Sequence, residues 1–318
     1  MKKPLVILAG PTAVGKTGLS IALAREIGGS ICSADSMQVY RRMDIGSAKI
    51  TKEEMAGIRH YLIDILEPEE EFSAALFQKY AKEALKDIYS EEKIPIIAGG
   101  TGFYIQALLY DIDFTEQSPD TAYLSSLKKI SEEKDGPERL YKNLREIDPE
   151  SAAAIHANNV RKVTRALAYF HDTGESLAVR NAIERQKESP YLYRYYALTE
   201  ERELLYADID KRVDQMISAG LVEEVRKLRE EGLRRDFVSA QGLGYKEIME
   251  YLDGETSLPD AIDRIKQGTR HYAKRQMTWL RRERNVTWIR KEDFNFDNAK
   301  ILSWILKDLE TSRIIERK

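Results

Sequence analysis

Leu5-Val6-Ile7-Leu8-Ala9-Gly10-Pro11-Thr12-Ala13-Val14-Gly15-Lys16-Thr17 is the stretch on which the fold turns. Its five leading apolar residues read as a buried strand, and residues 10–17 spell Gly-x-x-x-x-Gly-Lys-Thr. A helical pattern over Lys16–Ile27 follows. Strand, glycine turn and helix in that order make a phosphate-cradling loop, in which backbone N–H groups and a helix N-terminus form a positive concavity. Lys16 supplies a point charge and the Thr17 hydroxyl a ligand for Mg2+. Without a ligand, the same residues are a glycine turn with a surface lysine. The loop specifies a diphosphate or triphosphate with magnesium, and leaves open which of them is bound and what is done with it.

Outward from this loop, 318 residues give room for two domains, or for one large domain with an insertion. A hydrophobic content of 42% and a charged content of 32% are those of an ordinary globular chain. The net charge of −3 gives no global sign of nucleic acid, so local charge must decide. Cys32 is the single cysteine, which excludes an internal disulfide and points to a reducing compartment. Lys2 and Lys3 precede an apolar run too short for a secretory core. No stretch approaches the ~20 apolar residues of a membrane span. A cytoplasmic, monomeric protein without a membrane partner is expected.

Residues 1–112 alternate short apolar runs with helical patterns: strands at Leu5–Ala9, Gly29–Ser33, Tyr61–Ile65 and Ile94–Ala98, and helices at Lys16–Ile27 and Ser73–Glu91, with Ser73 as N-cap. This is the pattern of parallel βαβ units, whose site lies at the strands' C-terminal ends. Near Thr115–Asp120 the character changes, and up to Pro190 only helical periodicity remains, with Gly174 as a helix stop. Tyr193–Leu198 reads as a returning strand. A long helix follows, interrupted near Gly220 and ending at Gly232. Then come a basic helix over 259–284, a late strand at Val286–Ile289 and a helical tail from Asp297. The fold expected is α/β: a P-loop NTPase-like parallel sheet flanked by helices, formed by 1–114 with 191–318, carrying an all-helical insertion domain at 115–190 with a hinge near Thr115 and Pro190.

Four constellations bear on chemistry. Asp35, at the end of the second strand, would face the phosphate crevice and could hold the magnesium shell or accept a proton from a nucleophile; the alternative is an Asp capping the next turn. Gln38 has the side chain for an adenine edge. At Gly99-Gly100-Thr101-Gly102 backbone can approach a ligand, or merely turn tightly; the acid that many nucleotide hydrolases carry at such a strand end is missing, Asp64 being the nearest. Arg212 could clamp a leaving diphosphate, although periodicity alone favours an ion pair with Asp208.

The basic helix carries Arg264, Lys266, Arg270, His271, Lys274, Arg275, Arg281, Arg282 and Arg284, interleaved with Tyr272 and Trp279. Residues 270, 274, 281 and 284 share roughly one face. Such a face binds phosphates without regard to sequence, or is solvated opposite an acidic helix. A second cluster, Arg161-Lys162-Val163-Thr164-Arg165, lies in the insertion, and two basic surfaces would suit a large anionic partner.

Taken together, the chain resembles the tRNA dimethylallyltransferase (tRNA isopentenyltransferase) family. The resemblance rests on Gly10–Thr17, Asp35-Ser36-Met37-Gln38-Val39-Tyr40, Met43-Asp44-Ile45-Gly46, Gly99-Gly100-Thr101-Gly102, Gln241-Gly242-Leu243-Gly244-Tyr245-Lys246 and Ala273-Lys274-Arg275-Gln276-Met277-Thr278-Trp279-Leu280-Arg281, in family order. It departs at His156-Ala157-Asn158-Asn159, where the family commonly has His-Pro-Asn-Asp, at Arg42 in place of a usual glycine, and at Arg59-His60-Tyr61 in place of Pro-His-His.

The resemblance implies transfer of a dimethylallyl group from its diphosphate to N6 of the adenosine at tRNA position 37, on the 3′ side of the anticodon. Asp35 would be the general base, and the loop residues Gly10, Pro11, Thr12, Ala13, Val14, Gly15, Lys16 and Thr17 would hold the diphosphate with Mg2+ and Arg212. Thr12 would steady diphosphate or base, and Thr101 would position the adenine. Contacts to the anticodon stem-loop would come from Asp35–Gln38 and Thr101, from Asn159, Val160, Arg161, Lys162 and Val163, from Gln241–Lys246, and from Lys274–Arg281. Three rivals are weighed: an ATP-dependent small-molecule kinase, which leaves the basic helix and the insertion unused; a prenyltransferase acting on free adenine nucleotides, with little need for the basic helix; and a non-catalytic RNA-binding module, which does not explain Lys16 with Asp35.

Overall fold

The computed structural model describes residues 2–114 and 120–315. They form two compact units, Met1–Leu109 with Pro190–Lys318, and Tyr110–Ser189.

In the first unit, β1 (Lys3–Ala9), β2 (Ser30–Ala34), β3 (His60–Tyr61), β4 (Pro95–Gly99), β5 (Tyr191–Thr199) and β6 (Val286–Arg290) form one sheet in the order β3-β2-β4-β1-β5-β6. Every neighbouring pair is parallel. That is why β1 reads as an unbroken apolar run: helices cover both faces, so Leu5–Ala9 are all buried. Helices α1 (Lys16–Ile27), α2 (Lys52–Met55), α3 (Ala74–Ser90) and α4 (Gly102–Leu109) belong to the N-terminal half. Ser73 does cap α3, accepting from Leu76 N at 3.2 Å.

The second unit consists of α5 (Thr121–Glu132), α6 (Gly136–Ile147), α7 (Pro149–Ala154), α8 (Val160–Thr173) and α9 (Leu177–Gln186). Its own core is built on Leu127, Leu140, Leu144, Val163 and Leu167, and Gly174 ends α8 at φ 71°. The expected hinge residue Thr115 lies outside the described residues.

The chain then returns through β5 to α10 (Arg202–Ser218), α11 (Leu221–Glu230), α12 (Tyr245–Leu252), α13 (Leu258–Leu280) and α14 (Asn298–Thr311). Leu19 and Leu23 of α1, Ile209 of α10, Ala273 of α13 and Ile301, Ile305 and Leu309 of α14 share one core with β1 and β5.

The expected strand at Tyr61–Ile65 stops at Tyr61. Leu62 and Asp64 take φ of 63° and 54°, and the chain doubles back so that Ile65 N donates to Val39 O at 2.9 Å. Leu62 is buried and Ile63 half-buried, so their apolar character does not reflect extension here. Because all strands run parallel, Gly10–Thr17, Asp35–Tyr40 and Gly100–Gly102 emerge together at the C-terminal ends of β1, β2 and β4.

Candidate active site

Ala13 at φ 68° and Gly15 at φ 93° bend the phosphate loop, making a concave run of amides before α1. Ala13 carries backbone strain of the kind that collects at ligand sites. A Cβ at Gly10 would stand 2.7 Å from Leu198 O of β5, so only glycine lets the loop start there. The N-cap Gly15 offers no side-chain acceptor and the first turn of α1 holds no acid, which leaves its N–H groups for a ligand. Thr12, Ala13, Gly15, Lys16 and Thr17 line a cavity of about 650 Å³. Val14 is fully buried behind the loop, and the Gly10 and Pro11 carbonyls accept from Lys16 Nζ at 2.9 and 2.6 Å.

Lys16 and Arg212 face the same cavity. Burial, then the Arg212 charge, pulls the Lys16 amine down to about 7, with Asp35 opposing. Burial also lowers the Arg212 pKa, against the attraction of Asp35 and Glu54. Among the described residues neither cation has an ion-pair partner, and the expected Asp208 pair does not form. Two desolvated cations converge here with Asp35 and Glu54 nearby but no carboxylate in ion-pair contact, which makes a site for an anion.

Asp35 caps a turn and also lines the cavity. Its Oδ1 caps the following turn, accepting from Met37 N at 2.8 Å and Gln38 N at 3.3 Å. Its Oδ2 carries no hydrogen bond among the described residues, and the side chain lines the cavity. The Gln38 amide is held by long bonds, accepting from Ser33 Oγ and donating to Ala48 O, each at 3.3 Å. His60 also lines the cavity, with Nδ1 2.8 Å from Ile58 O; burial lowers its pKa and keeps the ring neutral.

A glutamine distant in sequence ties this wall together. Gln276 of α13 accepts from Thr12 N at 2.9 Å and donates to Gly100 O at 3.1 Å. A Cβ on Gly100 would lie 2.0 Å from Gln276 Nε2, so the glycine turn admits the amide. Beside it, the Tyr272 phenol lines the cavity, its pKa pushed up to about 12 by burial and the Asp35 charge. The Thr101 hydroxyl is sealed from solvent, against Tyr272, and is not among the cavity's lining groups. Gln276→Ala is expected to strand the Thr12 N–H and the Gly100 carbonyl, costing about 1–3 kcal/mol. Thermal unfolding reads this directly, and a wild-type midpoint would refute the bridge.

The expected RNA-facing stretches divide by burial. Val163, Tyr245 and Leu280 pack in cores, so their side chains do not face a partner, and Gln276 is the bridge just described and lines the cavity. Asn159 caps α8, accepting from Lys162 N at 3.3 Å, while Arg161, Lys162 and Arg165 are exposed. Gly242 lies against Met37, bringing the Gln241–Lys246 stretch onto the Asp35–Tyr40 turn.

The basic helix is two things in sequence. Arg264, Lys266 and Arg270 pair with Glu250, Asp214 and Asp210 on α12 and α10. Lys274, Arg275, Arg281 and Arg282 are exposed and have no carboxylate partner among the described residues. Arg270 therefore leaves the expected phosphate face. Arg42 adopts φ 62°, a left-handed conformation that favours glycine and costs another residue about 1–2 kcal/mol; its guanidinium meets Glu67 at 2.5 Å and Glu231 at 2.7 Å.

Among the described residues no group of three His, Cys, Asp or Glu side chains could hold a metal ion. A divalent ion here would rely on Thr17, water and ligand oxygens, which is the habit of Mg2+ beside phosphates. Among the described residues no helix is long and apolar enough to cross a membrane.

The chain is 54% identical over 314 residues to a tRNA dimethylallyltransferase of Lachnoclostridium phytofermentans, covering 99% of this chain and 100% of the relative. A full-length tRNA isopentenylpyrophosphate transferase from Bacillus halodurans superposes with a TM-score of 0.73 at 43% identity, over 98% of each chain. A eukaryotic dimethylallyltransferase captured acting on tRNA gives 0.80 at 28% identity, over 99% of this chain and 81% of that one. Residues 38–283 match the family described as IPP transferase, and this chain belongs to that family.

Proposed function

We propose that the protein transfers a dimethylallyl group from dimethylallyl diphosphate to N6 of adenosine 37 in tRNA, releasing diphosphate. The observation that carries this is the presence, in one cavity, of two desolvated cations without an ion-pair partner and of a carboxylate oxygen of Asp35 left without a hydrogen bond among the described residues. Cleavage of the allylic carbon–oxygen bond puts negative charge on the departing diphosphate. The loop amides, Lys16 and Arg212 neutralise it as it forms. The exocyclic amine of adenine is a weak nucleophile because its lone pair is delocalised into the ring. Asp35 Oδ2 takes its proton as the N–C bond forms. Thr12, through its backbone, and Tyr272 hold the two sides of the crevice. Mg2+, held by the Thr17 hydroxyl, supplies further countercharge to the diphosphate when bound.

Adenosine must leave its stack to enter, at a cost of a few kcal/mol. Ion pairs to RNA phosphates from Lys274, Arg275 and Arg281, and from Arg161 and Lys162 in the helical unit, offset it. The reading implies a cytoplasmic enzyme working where tRNA is, and a monomer suffices because one chain supplies every residue named. An ATP-dependent kinase is less well supported: where a nucleotide hydrolase carries an acid at the end of β4, this chain has Gly99-Gly100 and a neutral glutamine amide.

The test offers labelled dimethylallyl diphosphate and unmodified tRNA, with ATP in a parallel reaction. Label in RNA without ATP consumption is expected; ATP consumption without labelled RNA would overturn the proposal. Neutralising Lys274 and Arg281 together is expected to weaken tRNA binding and reduce the slope of log K against log salt by about 0.7–0.9 for each phosphate that is no longer neutralised. Neutralising the ion-paired Arg264 and Arg270 is expected to leave that slope unchanged. Equal slopes for both double variants would place the RNA elsewhere.

A further inference from the structure

Phosphate, carboxylate and RNA groups account for the polar part of the reaction but leave the hydrocarbon unread. The cavity has an apolar lining for it: Ile31 of β2, Ile63, Met216 of α10, and Ile45 and Ile50 from the loop between β2 and α2. That loop belongs to no strand or helix of its own, so something else must fix it.

Its near end is fastened by one carboxylate on α11. Three successive backbone N–H groups, of Asp44, Ile45 and Gly46, donate to Glu224 at 3.0, 2.7 and 3.1 Å. The Tyr245 hydroxyl donates to the same carboxylate at 2.8 Å. Burial, then the Glu224 charge, raises the Tyr245 pKa well above its ordinary value, so the phenol keeps its proton and remains a donor. A Cβ on Gly46 would stand 2.6 Å from the Tyr245 ring, so the loop closes directly onto it. Lys49 secures the far end, its Nζ reaching Tyr40 O and Asp44 at 2.6 Å and Asp64 at 2.5 Å.

We infer that Glu224 is a positioning residue for the allylic substrate: by capturing the amides of residues 44–46 it fixes the loop that carries Ile45 and Ile50, and with it the wall against which the five-carbon chain lies. This rests on the proposed prenyl-transfer reaction. Only an ionised carboxylate can do the work, because four donors converge on it. A glutamine of the same size has one acceptor oxygen, and its NH2 would meet N–H groups. α11 follows α10, which carries Arg212 and Met216, after a break at Gly220, so two consecutive helices carry the diphosphate clamp and the loop fastening.

The test compares wild type, Glu224→Gln and Tyr245→Phe, with dimethylallyl diphosphate varied at saturating tRNA and with geranyl diphosphate as a longer alternative. Glu224→Gln is expected to raise KM for dimethylallyl diphosphate about tenfold or more, as misplaced positioning groups do, and to narrow the preference for the five-carbon over the ten-carbon donor. KM for tRNA stays at its wild-type value. Tyr245→Phe, which leaves the three amides paired, shifts the same quantities in the same direction by less. Glu224→Gln with wild-type KM and wild-type chain-length preference overturns the inference. So does a loss of activity that tracks only the unfolded fraction.

Amide hydrogen exchange separates this from the functional reading. Protection of residues 44–46 is expected in the wild type and lost in Glu224→Gln whatever the substrate, and equal protection in both would remove the latch. A wild type that transfers no label from dimethylallyl diphosphate, with protection still dependent on Glu224, would defeat the reaction assignment and with it the substrate role, leaving only the loop fastening.

Discussion

Asp35→Asn is expected to slow prenyl transfer by about 10²–10⁴-fold, the range of a lost general base, while tRNA binds with wild-type affinity. Asparagine is the informative substitution because the side chain has two duties. Oδ1 caps the turn through Met37 N and Gln38 N, and an asparagine oxygen can still accept both bonds. In the proposed reaction Oδ2 takes the proton, and an amide nitrogen in its place could not. Asp35→Ala removes both functions and should also loosen the turn that carries Gln38, so its loss of activity would be ambiguous where that of asparagine is not. Single-turnover transfer, with tRNA affinity measured separately, checks the expectation. A wild-type rate in Asp35→Asn would remove Asp35 as the base.

Arg212→Ala is expected to cost about 10²–10³-fold in turnover, as loss of a preorganised group at a developing anion does. It should also change the pH profile, and the sign follows from Lys16. Its amine lies near 7 in the free protein, so kcat/KM for dimethylallyl diphosphate should fall as pH rises past that value and the amine loses its proton. Removing Arg212 removes a cation that disfavours protonation there, so the fall should move to higher pH in the variant. The same lowered pKa bears on stability. Between about 7 and 10.5 the unfolded chain holds a proton on Lys16 that the unliganded fold does not. This group's contribution therefore grows as pH rises through that window, and bound diphosphate, which favours the protonated amine, weakens or abolishes the trend. Kinetics and a pH profile like those of the wild type would remove Arg212 from the diphosphate clamp.

What the sequence discloses, and what it withholds, follows from the range of the interactions. The phosphate loop is legible because its chemistry is contiguous: Gly10, Gly15, Lys16 and Thr17 act within one turn of backbone, after a strand whose burial on both faces leaves an unbroken apolar run. Helix stops at Gly174 and Gly220 are legible because left-handed backbone selects glycine. Arg42 shows the limit of that rule, since its φ of 62° is held by a non-glycine residue between two glutamates.

The bridge made by Gln276 and the fastening made by Glu224 are not legible, because each acts on a segment far along the chain. Gln276 does leave a signal: it falls in the buried stripe of α13 with Ile265, Ala273 and Leu280, and a polar residue in an apolar stripe must have a partner. Glu224 sits among exposed acids on α11 and leaves none. The basic helix misleads in the same way, for composition counts Arg264, Lys266 and Arg270 but does not show the carboxylates that neutralise them.

The account turns on which atom leaves and which atom receives. A structure of this chain with an anticodon stem-loop and an uncleavable thio-analogue of dimethylallyl diphosphate measures both at once. The diphosphate is expected against the amides of 13–17 with Lys16 and Arg212, the allylic carbon between it and adenine N6, and N6 within ~3 Å of Asp35 Oδ2. A purine held away from Asp35, or a nucleoside triphosphate displacing the analogue from the loop, would contradict it.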